Sequence, residues 1–462
     1  MAFRLTGLPA AGLLLAVVAV AFAGGAATSF LYDDYRVITG DPRAQDWQAW
    51  WADVPGGIRP LLKLSFLLNW RSGLGAPGYF AVNLALHAAN AVLLWRIALH
   101  LLPRIAPGHA RLTTPAAWLA AILFAMHPVQ AEAVTYFSGR SSPLMAVFLL
   151  SSLLLWLRWP GRPACDAAAL ALFVLALASR ETAVVLPAAM LVVLWLSSER
   201  PPKATRLPMA MAAVVALAGA YALGAHPGYR AFFAGAFAHG DALGNLPDGA
   251  RGLHYLVLRC LGLQAGSIDP VLPAGAPFWL PALLAATCAL LASGLRLRRR
   301  YAWLVFGLAW FFIHLAPTYS LVPRAEPAND RHLYLAIWGP MLSLAFGLCW
   351  LASQDGMRRA LAGAAVLVLV VGSAFGLHER NAILANERAV WREVVRLAPG
   401  HARGWHNLGV ARHRQGQWVP ARDAYCRALH LQPNERSLAA LYGLARLGIP
   451  GCGTLTNTAP SA

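Results

Sequence analysis

LTTPAAWLAAILFAMHPVQAEAVTYFSGRSSPLMAVFLLSSLLLWL, residues 112–157, holds two uncharged apolar runs, 112–126 and 141–157, joined by a bend that carries His127, Glu132 and Arg140. A bilayer core demands roughly 20 apolar residues per helix, with about 17 as a lower bound. The two runs therefore read as membrane helices whose connection carries the polar chemistry. The pattern continues at 9–29, 79–95, 167–179, 182–198, 207–225, 277–295, 302–323, 333–354 and 360–377, which makes eleven candidate spans, 112–126 and 167–179 being short. The first run reads as a spanning anchor and not as a removable signal peptide, despite Ala27-Thr28-Ser29 at its end. The expected fold is all-α, a polytopic helical membrane bundle.

Composition agrees. Of 462 residues, 58% are apolar and 13% charged, with a mean hydropathy of +0.53. Soluble domains lie nearer 45–50% apolar and about 25% charged, so a soluble cytosolic enzyme is excluded. The net charge is +18, carried almost wholly by Arg, with Lys63 and Lys203 the exceptions. These cations sit in short loops between apolar runs, which fits the positive-inside rule and anionic lipid headgroups and gives no reason to expect nucleic acid. Arg104/Arg111, Arg158/Arg162, Arg200/Lys203/Arg206, Arg296/Arg298/Arg299/Arg300 and Arg358/Arg359 all fall on the cytoplasmic side if the N-terminus is cytoplasmic. Segments 30–78, 128–140, 226–276, 324–332 and everything after 377 then face outward. Segment 251–264 breaks this parity as a span and reads as a re-entrant or interfacial helix. The six Cys (165, 260, 288, 349, 426, 452) show no metal-binding spacing and no readable disulfide framework.

The transmembrane domain is expected over 1–378, a second domain over 379–450 and a disordered tail over 451–462. Residues 402–435 fit one 34-residue tetratricopeptide repeat, with Trp405, Leu408, Gly409, Ala421, Tyr425, Ala428 and Pro433 in its consensus slots. Trp391 and Pro399 match the end of a preceding repeat, Ala439 and Gly443 the start of a following one. Such a helical hairpin domain reads either as a docking surface for a partner protein or as a cap on the bundle.

Ionisable residues at a membrane edge are costly and mark functional sites. Asp33, Asp34 and Asp41 follow the first run; His127, Glu132 and Arg140 lie in the bend; Arg59, Arg180-Glu181 and Asp330-Arg331 join them on the same expected face. Each has a plain alternative as a helix end, a loop ion pair or a snorkelling anchor. Trp47, Trp50 and Trp51 read as an interfacial aromatic belt in preference to a sugar-stacking platform. Taken together, the set suits one chemistry. A carboxylate can act as general base on a hydroxyl, and Arg can grip a phosphate bidentately as it leaves. That describes glycosyl transfer from a polyprenyl-phosphate sugar, although a transporter could carry the same residues.

The stretches DDYRVITGDP (33–42), RPLLKLSFLLN (59–69), YFAVNLALHAAN (79–90, with Asn83 and His87), LFAMHPVQAEAVTYFSGRSS (123–142), SRETAVVLP (179–187) and NDRHLYL (329–335) resemble, in that order, the transmembrane and tetratricopeptide-containing protein O-mannosyltransferases and their bacterial relatives. The resemblance implies a GT-C-type glycosyltransferase that takes mannose from a dolichyl- or polyprenyl-phosphate donor to Ser/Thr hydroxyls outside the cytoplasm. By match, Asp33-Asp34 would be the catalytic acidic motif, with Asp34 the first choice for the base and Asp33 the support, an order open to exchange. Arg180 and Arg331, with Arg59, would hold the donor phosphate; His127, Glu132, Arg140, Glu181 and Asp330 would line the site. Asp330 and Arg180 stand where Glu and Lys are expected. The residues call for no certain cofactor; a divalent cation, if one is used, would sit on Asp33 or Asp34. A glycan or lipid acceptor and a non-catalytic scaffold are the competing readings. The Arg- and Ala-rich composition favours a bacterial inner membrane with the site and the repeat on the periplasmic side.

Overall fold

The computed structural model describes residues 8–26, 28–197, 203–238, 240–241, 244–272, 301–319, 322–324, 326, 328–445 and 448–452. The candidate span 277–295, the basic cluster 296–300, Arg200 and tail residues 453–462 lie outside them. Among the described residues the chain is helical and contains no strand.

The helices are α1 (Leu8–Ala21), α2 (Trp47–Asp53), α3 (Pro60–Arg71), α4 (Gly75–Ile105), α5 (Thr113–Met126), α6 (Ala131–Val134), α7 (Ser141–Arg158), α8 (Pro163–Ser179), α9 (Leu186–Leu196), α10 (Arg206–Gly224), α11 (Pro227–Phe237), α12 (Leu246–Cys260), α13 (Ala302–Leu315), α14 (Leu333–Ala336), α15 (Trp338–Ala352), α16 (Gly356–Leu384), α17 (Glu387–Leu397), α18 (Ala402–Arg414), α19 (Trp418–Leu431) and α20 (Glu435–Ala445). Every apolar run apart from 277–295 thus contains helix, although 9–29 and 302–323 are helical only to Ala21 and Leu315. Among the described residues, four stretches are long and apolar enough to cross a bilayer alone: Gly75–Ile105, Phe137–Arg158, Arg206–Gly224 and Gly356–Leu384. Two more are bent pairs, Pro107–Met126 with Pro128–Val134 (51°) and Asp330–Ala336 with Trp338–Ala352 (53°). The remaining apolar helices, α1, α8, α13 and the stretch Glu181–Leu196, are shorter. The first run does not stay helical to its end: α1 stops at Ala21 and a tight turn follows at Ala23–Gly25.

Helix α4 forms the core of the bundle and packs on α1, α5 and α7, while α15 packs on α5 and α13. The α13/α15 crossing is close because Gly307 and Gly339 face each other; a Cβ on Gly339 would lie 2.5 Å from the Gly307 carbonyl oxygen. Small residues let membrane helices approach in this way, since lipid supplies no hydrophobic drive between them. Helices α10 and α16 expose Leu217, Tyr221, Leu367, Val368 and Phe375, as lipid-facing helices do.

The bend in 112–157 is built as its residues demand. His127 ends α5 in an extended conformation (φ −65, ψ 133), the geometry imposed on a residue before proline. Its Nδ1 then accepts from the Val129 N–H at 3.3 Å. Gly139 passes so near the start of the bend that a Cβ there would overlap the Glu132 carbonyl and lie 2.9 Å from the Ala133 Cα. The bend is therefore a doubled-back loop that only glycine can close.

Helix α16 carries the chain across residue 378 to Leu384, and antiparallel hairpins follow. Leu408, Ala421, Tyr425 and Ala428 are buried between α18 and α19. Gly409 is small because a Cβ would sit 2.5 Å from the Tyr425 ring. After α20 the chain returns across the hairpin with Ile449 packed on its core, and Cys452 reaches Cys426 to form a disulfide. The absence of a disulfide framework in the spacing is thus corrected. The bridge spans 26 residues, a separation with no pattern of its own, and depends on a fold-back that sequence does not reveal.

Candidate functional site

The acidic turn follows α1 directly. Tyr32 adopts a left-handed conformation (φ 46), and a single π turn runs over Tyr35–Thr39. Such local departures concentrate at functional sites. They send the adjacent carboxylates different ways. Asp34 is fully buried; its Oδ1 accepts from the Ser138 N–H (2.8 Å) and hydroxyl (2.5 Å), and its Oδ2 from the Leu31 N–H (3.2 Å). Burial pushes its carboxyl up to about 7, against the opposing pull of those donors. Asp33 remains partly exposed and meets Arg36 at 3.3 Å.

Ser138 belongs to the bend, and two residues earlier the Tyr136 ring lies 5.8 Å from the Arg331 guanidinium. Arg331 contacts Glu326 at 3.1 Å and Glu132 at 3.6 Å, and Asp33 is within its electrostatic reach. Glu132 in turn accepts the Asp330 N–H at 3.2 Å. Segments 31–36, 132–138 and 326–331 therefore meet at one end of the bundle.

Beside them a small recess of about 20 Å³ is lined by Arg180, Arg331, Ser142, His314, His332 and Tyr334, among others. Arg180 is 6% exposed, and its contacts are the Ser141 and Ser142 hydroxyls, with no carboxylate in hydrogen-bonding range among the described residues. Burial first, then Arg59, Arg331 and Arg324, pull its guanidinium down to about 9. The buried Nε2 atoms of His314 and His332 have no hydrogen-bond partner among the described residues. A recess with two guanidiniums and unpaired polar groups suits an anionic group.

Of the residues singled out by sequence, Arg180 and Arg331 line this recess; Glu132 meets Arg331 at 3.6 Å, and Asp33 lies within the electrostatic reach of Arg331. Others do different work. Arg59, also left-handed (φ 53), pairs with Glu181 through two 3.0 Å hydrogen bonds. Arg140 is fully buried and donates to Asn83 Oδ1 (2.6 Å) and to the Ser65 and Tyr79 carbonyls (3.0 Å each), locking α3, α4 and the bend together. Asp330 is fully buried against Arg259 of α12 at 2.9 Å and 3.1 Å. His87 bridges Tyr334 and the Ala125 carbonyl inside the bundle. Trp50 donates to the Pro60 carbonyl at 3.0 Å, while Trp47 and Trp51 stay exposed.

Sequence reasoning passed over Ser138, Arg259, Arg324, Glu326, His314 and His332. Arg259 carried the clearest signal, since it interrupts the apolar stretch 253–263. A divalent cation does not fit the acidic pair. Three donors already occupy both oxygens of Asp34, and no group of three or more metal-binding side chains occurs among the described residues.

The chain is similar to protein O-mannosyl-transferases. It is 36% identical over 120 residues to protein O-mannosyl-transferase Tmtc3 of Drosophila melanogaster, covering 23% of this chain and 13% of that protein. It is 31% identical over 172 residues to TMTC4 of Homo sapiens (30% and 21%) and 38% identical over 101 residues to TMTC2 of Mus musculus (22% and 11%). The matched stretch thus spans about a fifth or less of each relative's length. No protein-family model matches the chain.

Proposed function

We propose that this protein is an inverting membrane glycosyltransferase that moves a monosaccharide, mannose by analogy with its relatives, from a polyprenyl-phosphate donor to Ser/Thr hydroxyls of proteins outside the cytoplasm. The observation that carries the reading is the pair Arg180 and Arg331 in one recess beside the Asp33–Asp34 turn. Arg180 spends Nη1 on two serine hydroxyls and meets no carboxylate within hydrogen-bonding range among the described residues, which leaves its charge for a phosphate. Asp33 has the access a base needs, and Asp34, tied to the bend by Ser138, holds it in place. The GT-C architecture, the eleven spans and the tetratricopeptide character of the C-terminal hairpins belong to the same reading.

In the step, the Asp33 carboxylate accepts the acceptor's hydroxyl proton as its oxygen attacks the anomeric carbon. The bond from that carbon to the phosphate oxygen breaks with its electron pair, and Arg180 and Arg331 meet the charge growing on the leaving phosphate. Displacement from the opposite face inverts the anomeric centre. The test is transfer by the purified full-length protein from polyprenyl-phosphate mannose to a Ser/Thr peptide. Asp33→Asn should lower kcat by about 10²–10⁴-fold, the range of general-base help. Arg180→Gln should raise KM for the donor and leave that for the peptide unchanged. Wild-type rates in both variants would sink the assignment, and transfer to envelope glycans in place of peptides would redirect the acceptor.

A further inference from the structure

The C-terminal helices do more than follow the bundle: they hold the acidic turn from behind. Glu387, at the start of α17, accepts the Tyr32 N–H at 3.1 Å. Trp391, one turn on and 1% exposed, meets the Tyr32 ring edge to face at 5.0 Å between centroids. Arg414, at the end of α18, clasps both oxygens of Glu387 at 2.7 and 2.9 Å. The same guanidinium lies 3.7 Å from the centre of the Tyr35 ring. Both tyrosines that flank Asp33-Asp34 are thus gripped by the hairpins. Two ion pairs brace the grip: Arg403 of α18 with Asp269 after α12, and Arg380 of α16 with Glu393 of α17 at 2.5 Å.

The residue held is the strained one. Tyr32 is a non-glycine residue at φ 46, and such a conformation persists only where surrounding contacts impose it. Its N–H donates to an ionised carboxylate and its ring is packed on a buried indole, so the imposing contacts come from α17. A domain that only recruits partners needs a tether to the bundle. It has no need to take hold of the residue next to the proposed base.

We infer that Glu387 and Arg414 are positioning residues, and that the C-terminal hairpins set the geometry of the acidic turn as part of the reaction centre. This rests on the glycosyltransferase reading for the role of Asp33, while the grip itself can be measured without any reaction. Hydrogen–deuterium exchange on the full-length protein in detergent provides that measurement. Glu387→Ala should make amides in 28–41 exchange about 10- to 100-fold faster, as befits loss of a charge-assisted hydrogen bond, with α4 and α7 unchanged. Tyr32→Ala removes the ring contact from the other partner and should loosen 28–41 with 387–445 unchanged. In the transfer assay, Glu387→Ala should lower kcat about 10- to 100-fold at constant donor KM, the consequence of a displaced base. Glu387→Gln, which can still accept the Tyr32 N–H, should recover part of that rate. Parental exchange in 28–41 for both alanine variants would overturn the inference whatever the activity. A rise confined to the acceptor KM would overturn it too and make the hairpins a docking surface. If 28–41 loosens as expected and the parent transfers no sugar, the grip stands and the glycosyltransferase reading falls.

Discussion

Asp33 and Asp34 are neighbours in sequence and opposites in setting, because the turn directs one carboxylate outward and the other into the bend. The buried one titrates where cells live. With its carboxyl raised from 3.8 to about 7, folded Asp34 holds a proton between those values that the unfolded chain has released. Stability contributed by this residue is therefore present at low pH and falls as pH rises from about 4 to 7, by about 1.4 kcal/mol per unit. Asp34→Asn removes the titration and keeps the shape. The melting temperature of the variant relative to the parent should climb across that interval and level off above it. A difference independent of pH would show that Asp34 carries no shifted proton. The sequence revealed that an acidic pair stood at this edge. It did not reveal the division of labour, since that depends on Ser138, a residue more than a hundred positions away with no chemical signature of its own.

Among the elements, α12 is the one whose role hydropathy obscured. Its parity excluded it as a span, and in the structure it delivers Arg259 to Asp330 at the mouth of the site, with both side chains buried. Removing one member of a buried pair leaves an uncompensated charge, at a cost of roughly 3–5 kcal/mol, whereas replacing both with apolar residues of similar size is often neutral. Arg259→Met should lower the melting temperature sharply and Arg259→Met/Asp330→Leu should restore most of it. If the double variant melts no higher than the single one, the pair acts through something other than mutual compensation. The long runs such as 79–95 and 360–377 were legible from composition alone because lipid selects for it directly. The bend at 127–140 was legible through His127-Pro128 as a helix end, but the Gly139 contact that closes it needed coordinates. The Arg140 lock did too: a charge expected to line the site binds carbonyls of α3 and α4 instead.

At the scale of the whole molecule, topology was argued from Arg placement, and the Cys426–Cys452 bridge supplies an independent test. Disulfides persist in oxidising compartments and are reduced in the cytosol. The extracytoplasmic C-terminus proposed from the loop charges would be a compartment in which such a bridge persists. Cys426→Ser/Cys452→Ser should destabilise the hairpins by about 3 kcal/mol, the loop-closure entropy of such a bridge. In intact cells, a membrane-impermeant reductant followed by maleimide should label both residues in the parent. Alkaline phosphatase fused after Cys452 should be active, and fused after Lys203 inactive. Thiols found free before reduction, or the reverse fusion pattern, would invert the assignment of the whole site to the outer face.

The guanidinium crowd around Arg180 has a consequence for how the protein survives without its ligand. Arg59, Arg331 and Arg324 each oppose the charge on Arg180, and the Glu181 carboxylate and two hydroxyls offset them only in part. The unliganded bundle thus carries a repulsion that an incoming anion abolishes. Under the proposed glycosyltransferase reading, donor lipid would act in that sense as a missing structural part, and abundance of the folded protein would be tied to supply of the donor. A ligand that binds only the folded state stabilises it by about 2.7 kcal/mol at a hundredfold excess over Kd. Titrating polyprenyl phosphate into the detergent-solubilised protein should raise the melting temperature stepwise, and Arg180→Gln should start higher and respond less. A starting melting temperature for Arg180→Gln below that of the parent would mean that the crowd is not a burden to the empty fold.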